Sequence, residues 1–147
     1  MQTRSSSDLA ATLRISVSRL ARRLRVERML PGEPEPLLSD TQFAALAHLE
    51  RHGAMSPGEL AEHEKVQPPS MTRVIAALED LRLVTRAPHS SDRRQVVLTV
   101  TPEGGELVNR ARRRRDAWLA KRLNELTPEE RATLRAAAPI LEKLSQS

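Results

Sequence analysis

The sequence has no cysteine and no tyrosine, and its 147 residues include one Phe and one Trp. A chain without cysteine cannot form a disulfide framework, a thiolate zinc site or a cysteine-based redox switch. The scarcity of aromatic side chains, together with a hydrophobic share of 39%, leaves little bulk for the core of a self-sufficient monomer. We therefore expect part of the apolar surface to be buried between subunits.

Long apolar runs are also missing. No stretch reaches the length that spans a bilayer, and residues 1–8 lack the apolar core of a signal peptide. These absences predict a cytoplasmic protein without a membrane partner. The sequence shows no pairing of a nucleophile with a base and no glycine-rich phosphate loop, so we expect no enzymatic activity and no cofactor.

The charge balance is modestly basic. Lys and Arg number 24 against 19 for Asp and Glu, which gives a formal net charge of +5. This excess is compatible with a nucleic-acid partner but is too small to establish one. The length is typical of a single domain.

Four helix starts are marked by a capping hydroxyl, at Ser39, Ser56, Thr101 and Thr127. Proline follows the last three caps, and three of the four caps have Gln or Glu three residues later, as in a capping box. Apolar residues at helical spacing predict a first helix over about residues 8–30, and the three prolines within residues 31–36 predict a linker. A second helix is expected to end at Gly53 in a left-handed cap.

The third and fourth predicted helices are joined by about four residues, which is the proportion of a helix-turn-helix. In that motif the first residues of the second helix enter the major groove. Arg73 can fork onto a guanine or clamp a phosphate, and hydroxyl groups can bond base edges or phosphates. The same pattern also occurs in all-helical domains that do not bind DNA. The candidate contacts are Gln67, Ser70, Met71, Thr72 and Arg73.

Residues 83–101 contain two strand-like runs around a charged loop. A charged loop is usually solvated surface, but after a helix-turn-helix a basic ribbon fits the narrow, electronegative minor groove of DNA. In this interpretation Arg94 inserts into the groove and Arg93 assists at the phosphates. Asp92 orients an arginine through a charge-assisted bond. Arg86, on the first strand, lies near the DNA backbone.

The order of these motifs resembles the MarR family of bacterial transcription regulators over nearly the whole chain. The sharpest matches are Ser-Met-Thr-Arg at residues 70–73 and Asp-Arg-Arg at 92–94, followed by Val100, Thr101 and Gly104. The prolines at positions 68 and 69 depart from the family pattern, and because proline has no N–H they leave fewer backbone donors for phosphates.

The resemblance implies a mainly α fold with a small β-ribbon, in a single domain over residues 1–147. A winged helix-turn-helix would occupy residues 39–104, with the helix-turn-helix at about 56–82 and the wing at 83–101. Dimerisation helices would lie in residues 1–38 and 105–147. The function implied is that of a homodimeric repressor, which binds a pseudo-palindromic operator in double-stranded DNA and is released by a small-molecule effector. Residues 70–73 would head the recognition helix, and Arg94 would lie at the wing tip.

The predicted terminal helices support a homodimer on separate grounds. Their apolar stripes have no core of their own to cover, and two-fold packing against a second copy is the simplest solution. An intramolecular bundle in a monomer is the alternative. Two copies would place half-site centres about 10 base pairs apart.

Three other features have ordinary explanations. The arginines at 110 and 112–115 surround a helix, which favours solvated charge or intersubunit pairing over phosphate contact. His48 and His52 have a chelating spacing, but no carboxylate motif accompanies them and we expect no metal site. Trp118 is expected to pack in the core or in a dimer interface.

Two alternative functions stay open on the sequence alone. The chain could be a basic DNA-binding protein without an effector, or a winged-helix module that binds proteins rather than DNA. The effector, the operator sequence and the regulated genes are not encoded in any recognisable motif.

Overall fold

The computed structural model describes residues 2–27 and 38–147, and within them it has six helices and a two-stranded antiparallel sheet. This architecture confirms the predicted fold class. None of the described helices is long and apolar enough to cross a membrane. In chain order the elements are α1 (Gln2–Glu27), α2 (Asp40–His52), α3 (Pro57–Glu64), α4 (Pro68–Asp80), β1 (Val84–Pro88), β2 (Val96–Val100), α5 (Pro102–Asn124) and α6 (Pro128–Ser145).

The four predicted caps are all present. Ser39 accepts a hydrogen bond from the backbone N–H of Gln42, whose side chain accepts one in return from the Ser39 N–H. Thr127 at the start of α6 forms the same reciprocal box. Ser56 and Thr101 each accept a bond from the backbone N–H three residues on, and proline follows both. These local bonds satisfy backbone donors that a helix start leaves unpaired.

One predicted boundary and one predicted cap conformation were wrong. Helix α1 begins at Gln2, not near residue 8, because a helix that is already nucleated extends over polar residues at little cost. Gly53 ends α2 with φ 85° and ψ −173°, which is not the left-handed conformation, although its N–H still bonds the carbonyl of Leu49. The predicted linker at residues 31–36 lies outside the described residues.

The core lies in the middle of the chain. It extends from Leu38 to Ala111, and α2, α3, α4, the ribbon and the start of α5 all contribute to it. Among the described side chains of α1 and α6, none is buried. The ribbon joins the core at Leu98, which is fully buried and forms a β-bridge with Met55. Val96, nearer the ribbon's tip, is exposed.

Candidate nucleic-acid interface

The head of α4 presents polar side chains to solvent. Gln67 occupies the N-cap without a side-chain capping bond, and two prolines fill the first helical positions, as predicted. Ser70, Thr72 and Arg73 are exposed. The Thr72 hydroxyl donates to the carbonyl of Pro68 at 3.0 Å, which leaves its oxygen able to accept. Arg73 forms no ion pair with any described residue.

Met71 does not belong to this exposed set. Its side chain is 1% exposed and lies in the core, which corrects its assignment as a DNA contact. The reason is the helical period: residue 71 is four positions before Ile75 and seven before Leu78, so all three lie on one face. A side chain on that face cannot also point into a groove.

The wing tip is shaped by main-chain bonds. The His89 N–H donates to the Gln95 carbonyl at 2.9 Å, and the Gln95 N–H donates to the Asp92 carbonyl at 3.1 Å. The Asp92 carboxylate accepts from the backbone N–H of Arg94 at 3.0 Å. The sequence predicts that this carboxylate orients an arginine side chain, whereas it bonds the local backbone, as a short Asp side chain readily does. Asp92 therefore fixes the backbone of the tip.

The two arginines of the tip are exposed. Across residues 2–27 and 38–147, neither Arg93 nor Arg94 has an ion-pair partner. Their guanidinium groups, like that of Arg73, are thus available to an external anion.

Arg86 is engaged within the chain. Its Nε donates to Oε1 of Glu79 in the last turn of α4, at 2.7 Å. This bond uses the Nε–H of the guanidinium, so only the terminal amino groups of Arg86 remain for a nearby phosphate. Sequence reasoning missed the pair because its members lie on different elements.

Thr101 has a second role beyond its cap. Its hydroxyl lies 2.7 Å from the carbonyl of Arg82 and 3.2 Å from that of Leu83, and its N–H donates to Leu83 at 3.0 Å. These bonds close the base of the wing. Only the ribbon's register brings the partners together, and no local pattern signals it.

The arginine run of α5 is largely occupied by its own chain. Arg112 pairs with Glu50 of α2 at 2.9 Å, and Arg110 lies 3.8 Å from Glu106. The Arg115 guanidinium lies 5.0 Å from the centre of the Phe43 ring. The contacts of Arg112 and Arg115 join α5 to α2.

Three of the four histidines gather where α2 meets α3. The ring of His48 lies 4.4 Å from that of His52 and 5.0 Å from that of His63, centre to centre. Its Nδ1 is 3.2 Å from a Glu64 oxygen. Burial lowers the pKa of His48, and the neighbouring His52, His63 and Arg51 lower that pKa further. The His48 ring stacks on that of His63 and is tilted against that of His52. In the described part of the chain no three His, Cys, Asp or Glu side chains are placed to hold a metal ion.

Trp118 is half-buried on α5, between two cations. The guanidinium groups of Arg23 and Arg122 lie 5.2 and 5.8 Å from the centre of its ring. Its indole Nε1 is buried and has no hydrogen-bond partner among the described residues. The side chain thus packs where α1 meets α5.

Known proteins share this fold and sequence. The MarR family model matches residues 38–96. The helix-turn-helix transcriptional regulator Mb0904 of Mycobacterium bovis is 49% identical, over 93% of this chain and 92% of its own length. The repressor MdtR of Bacillus subtilis is 31% identical, over 98% and 90%. The crystal structure of a transcriptional regulator from Pseudomonas aeruginosa superposes with a TM-score of 0.82 at 30% identity, covering 97% of both chains. With its winged helix-turn-helix and these relatives, the chain belongs to the MarR family of DNA-binding transcriptional regulators.

Proposed function

We propose that the protein is a cytoplasmic homodimeric repressor that binds a pseudo-palindromic operator and is released by a small ligand. The observation that carries the proposal is the state of three arginines. Arg73 at the head of α4, and Arg93 and Arg94 at the wing tip, are exposed and form no ion pair within the described residues. Arg86, Arg112 and Arg122, by contrast, all have carboxylate partners. Unpaired cations at the head of α4 and at the wing tip can bind DNA in its major and minor grooves.

Each proposed contact has a defined part. Arg73 reads a base edge in the major groove, and Gln67, Ser70 and Thr72 bond base edges or phosphates beside it. Arg94 enters the minor groove and Arg93 contacts the flanking phosphates. Asp92 contributes through the shape of the tip.

The dimer is supported by apolar surface on the terminal helices. Ile140 is 61% exposed, Leu144 59% and Leu9 57%. Side chains of this kind, repeated along α1 and α6, form an apolar surface that a second copy can cover by two-fold packing. The proposed division takes residues 39–104 as the DNA-binding lobe and residues 1–38 and 105–147 as the dimerisation segments. Most of the core lies in the first part, and it continues into α5 through Leu107, Val108 and Ala111.

Release by a ligand is supported by analogy with relatives. MdtR of Bacillus subtilis is named a repressor. MepR, a regulator of a multidrug efflux pump in Staphylococcus aureus, has been crystallised with ethidium bromide, at 18% identity to this chain. In this protein a ligand would have to prefer the dimer whose recognition helices are spaced wrongly for the operator.

A binding titration tests the proposal. Fluorescence anisotropy on DNA from upstream of the protein's own gene, and on a scrambled duplex, should give a specificity ratio of about 10³ or more at physiological salt. Equal affinity for both duplexes would indicate a sequence-tolerant DNA-binding protein. No binding even at low salt would indicate a protein-interaction module. A thermal-shift screen with phenolic acids and lipophilic drugs, repeated in the presence of operator, tests release.

A further inference from the structure

The ion pair of Glu79 and Arg86 connects the recognition helix to the wing. Glu79 lies in the last turn of α4 and Arg86 in the middle of β1, and Arg86 Nε to Glu79 Oε1 is 2.7 Å. The two side chains are 30% and 45% exposed. The pair is therefore accessible, and its contribution to folding stability is small.

The position of Arg86 on the ribbon explains why this contact matters. Arg86 is paired in the sheet with the fully buried Leu98 and follows the buried Val84 by two residues, so it projects from the ribbon face that covers the core. At the base of the ribbon the Leu83 N–H bonds the carbonyl of Leu78 at 2.9 Å. Beyond residue 83, the ion pair is the one hydrogen bond or salt bridge that ties α4 to the ribbon in the described part of the chain. It lies three residues nearer the tip than the bond of Leu83.

We propose that Glu79 is a positioning residue for DNA binding: its bond to Arg86 sets the angle between the recognition helix and the wing, so that Arg73 and Arg94 reach their grooves together. The inference rests on the proposed function. It also changes the expected role of Arg86. Instead of contacting a phosphate, Arg86 holds the wing in place through its bond to Glu79.

Whether Glu79→Ala strengthens or weakens DNA binding distinguishes a positioning role from a simple charge effect. Glu79 is an anion near the DNA-binding elements, and removal of a negative charge should strengthen binding to a polyanion. A positioning role predicts weaker binding, because the wing loses the bond between Arg86 and Glu79 that holds it against α4. Asp80 is the matched control: it is the next residue, it is exposed, and it has no ion-pair partner among the described residues.

Operator affinity is measured by anisotropy at several salt concentrations for Glu79→Ala, Arg86→Ala, the double variant, Asp80→Ala and the charge swap Glu79→Arg with Arg86→Glu. Glu79→Ala and Arg86→Ala should each weaken binding about fivefold, the factor that an exposed ion pair can supply. The double variant should bind no more weakly than either single variant, since the two residues act as a unit. The charge swap should recover most of the affinity, and Asp80→Ala should bind as tightly as the wild type or more tightly.

Three results would overturn the inference. The first is tighter binding by Glu79→Ala, matching Asp80→Ala. The second is a loss confined to Arg86→Ala in which the salt slope falls by about one unit, which would mark a direct phosphate contact. The third needs no DNA: amide hydrogen exchange of residues 86–98 that is the same in Glu79→Ala and wild type. Failure of the wild type to bind any DNA would instead reject the proposed function. The exchange measurement would still test whether the bond between Glu79 and Arg86 restrains the wing.

Discussion

Two adjacent glycines at the start of α5 have different surroundings. A Cβ on Gly104 would overlap the carbonyl oxygen of Leu83 and lie 3.0 Å from a methyl group of Val100. A Cβ on Gly105 would meet nothing within 4 Å. The close approach lets Thr101 bond the same Leu83 carbonyl, so the absence of a side chain at residue 104 allows the wing base to pack against α5.

Gly104→Ala should therefore destabilise the protein. The clash is with backbone, which cannot rotate away, and overpacking of this kind costs about 1–3 kcal/mol. Gly105→Ala should instead stabilise it by about 0.5–1 kcal/mol, because alanine has the higher helix propensity. Urea denaturation of both variants measures the difference. Equal stability of the two variants would contradict the close packing at Leu83.

Replacing Arg73 or Arg94 by alanine should change DNA binding in two different ways. Arg73→Ala should cost about 1–3 kcal/mol on the operator and relax preference at one base position, if it reads a guanine. Arg94→Ala should weaken binding to many sequences and flatten the salt slope by about one unit. Competition titrations with single-base operator variants distinguish the two effects. Unchanged affinity in both variants would remove these residues from the interface.

At the scale of elements, the histidine cluster couples the packing of α2 on α3 to pH. In the unfolded chain His48 takes up a proton near its ordinary pKa of 6.5, whereas in the folded protein its pKa is lower, first because of burial and then because of His52, His63 and Arg51. The unfolded state thus binds more protons as pH falls below 6.5, and stability decreases with it. Burial raises the pKa of Glu64, which acts in the opposite sense at lower pH.

The melting temperature should accordingly fall as the pH is lowered from about 7.5 to about 5.5, the range in which histidine titrates. His48→Gln should make this dependence shallower, because glutamine keeps a polar side chain but takes up no proton. If the His48 variant retained the full pH dependence, the cluster would not be its source.

Local chemistry explains which elements the sequence could predict. Caps at Ser39 and Thr127 depend on residues three positions away, and the helices they start were found where expected. His63 beside His48, or Glu79 beside Arg86, depends on how whole elements pack, and no spacing along the chain encodes that. Met71 shows the same limit. Its spacing fits the apolar stripe of α4 and its place near the start of α4 fits the predicted DNA contacts, and only its burial in the structure distinguishes the two.

At the scale of the molecule, the apolar surface is divided unevenly. The buried cluster lies between Leu38 and Ala111, while Leu134, Ile140, Leu141 and Leu144 of α6 are each more than 40% exposed. The low aromatic content predicted this shortage of core, and the striped termini predicted where the remaining apolar side chains lie. A second copy of the chain would cover them, and would also supply the second recognition helix that a two-half-site operator requires.

Charge on the apolar face of α6 should therefore separate the dimer and weaken operator binding together. Leu141→Glu combined with Leu144→Glu should give a monomer in light scattering, because two carboxylates cannot be buried there without partners. Operator affinity should fall by about 100-fold, since each subunit then binds its half-site alone. Ala132→Glu is the control, because it adds a carboxylate nine residues before Leu141, on the opposite side of the helix. A doubly charged variant that stayed dimeric would place the interface elsewhere, and one that became monomeric with full affinity would separate DNA binding from dimerisation.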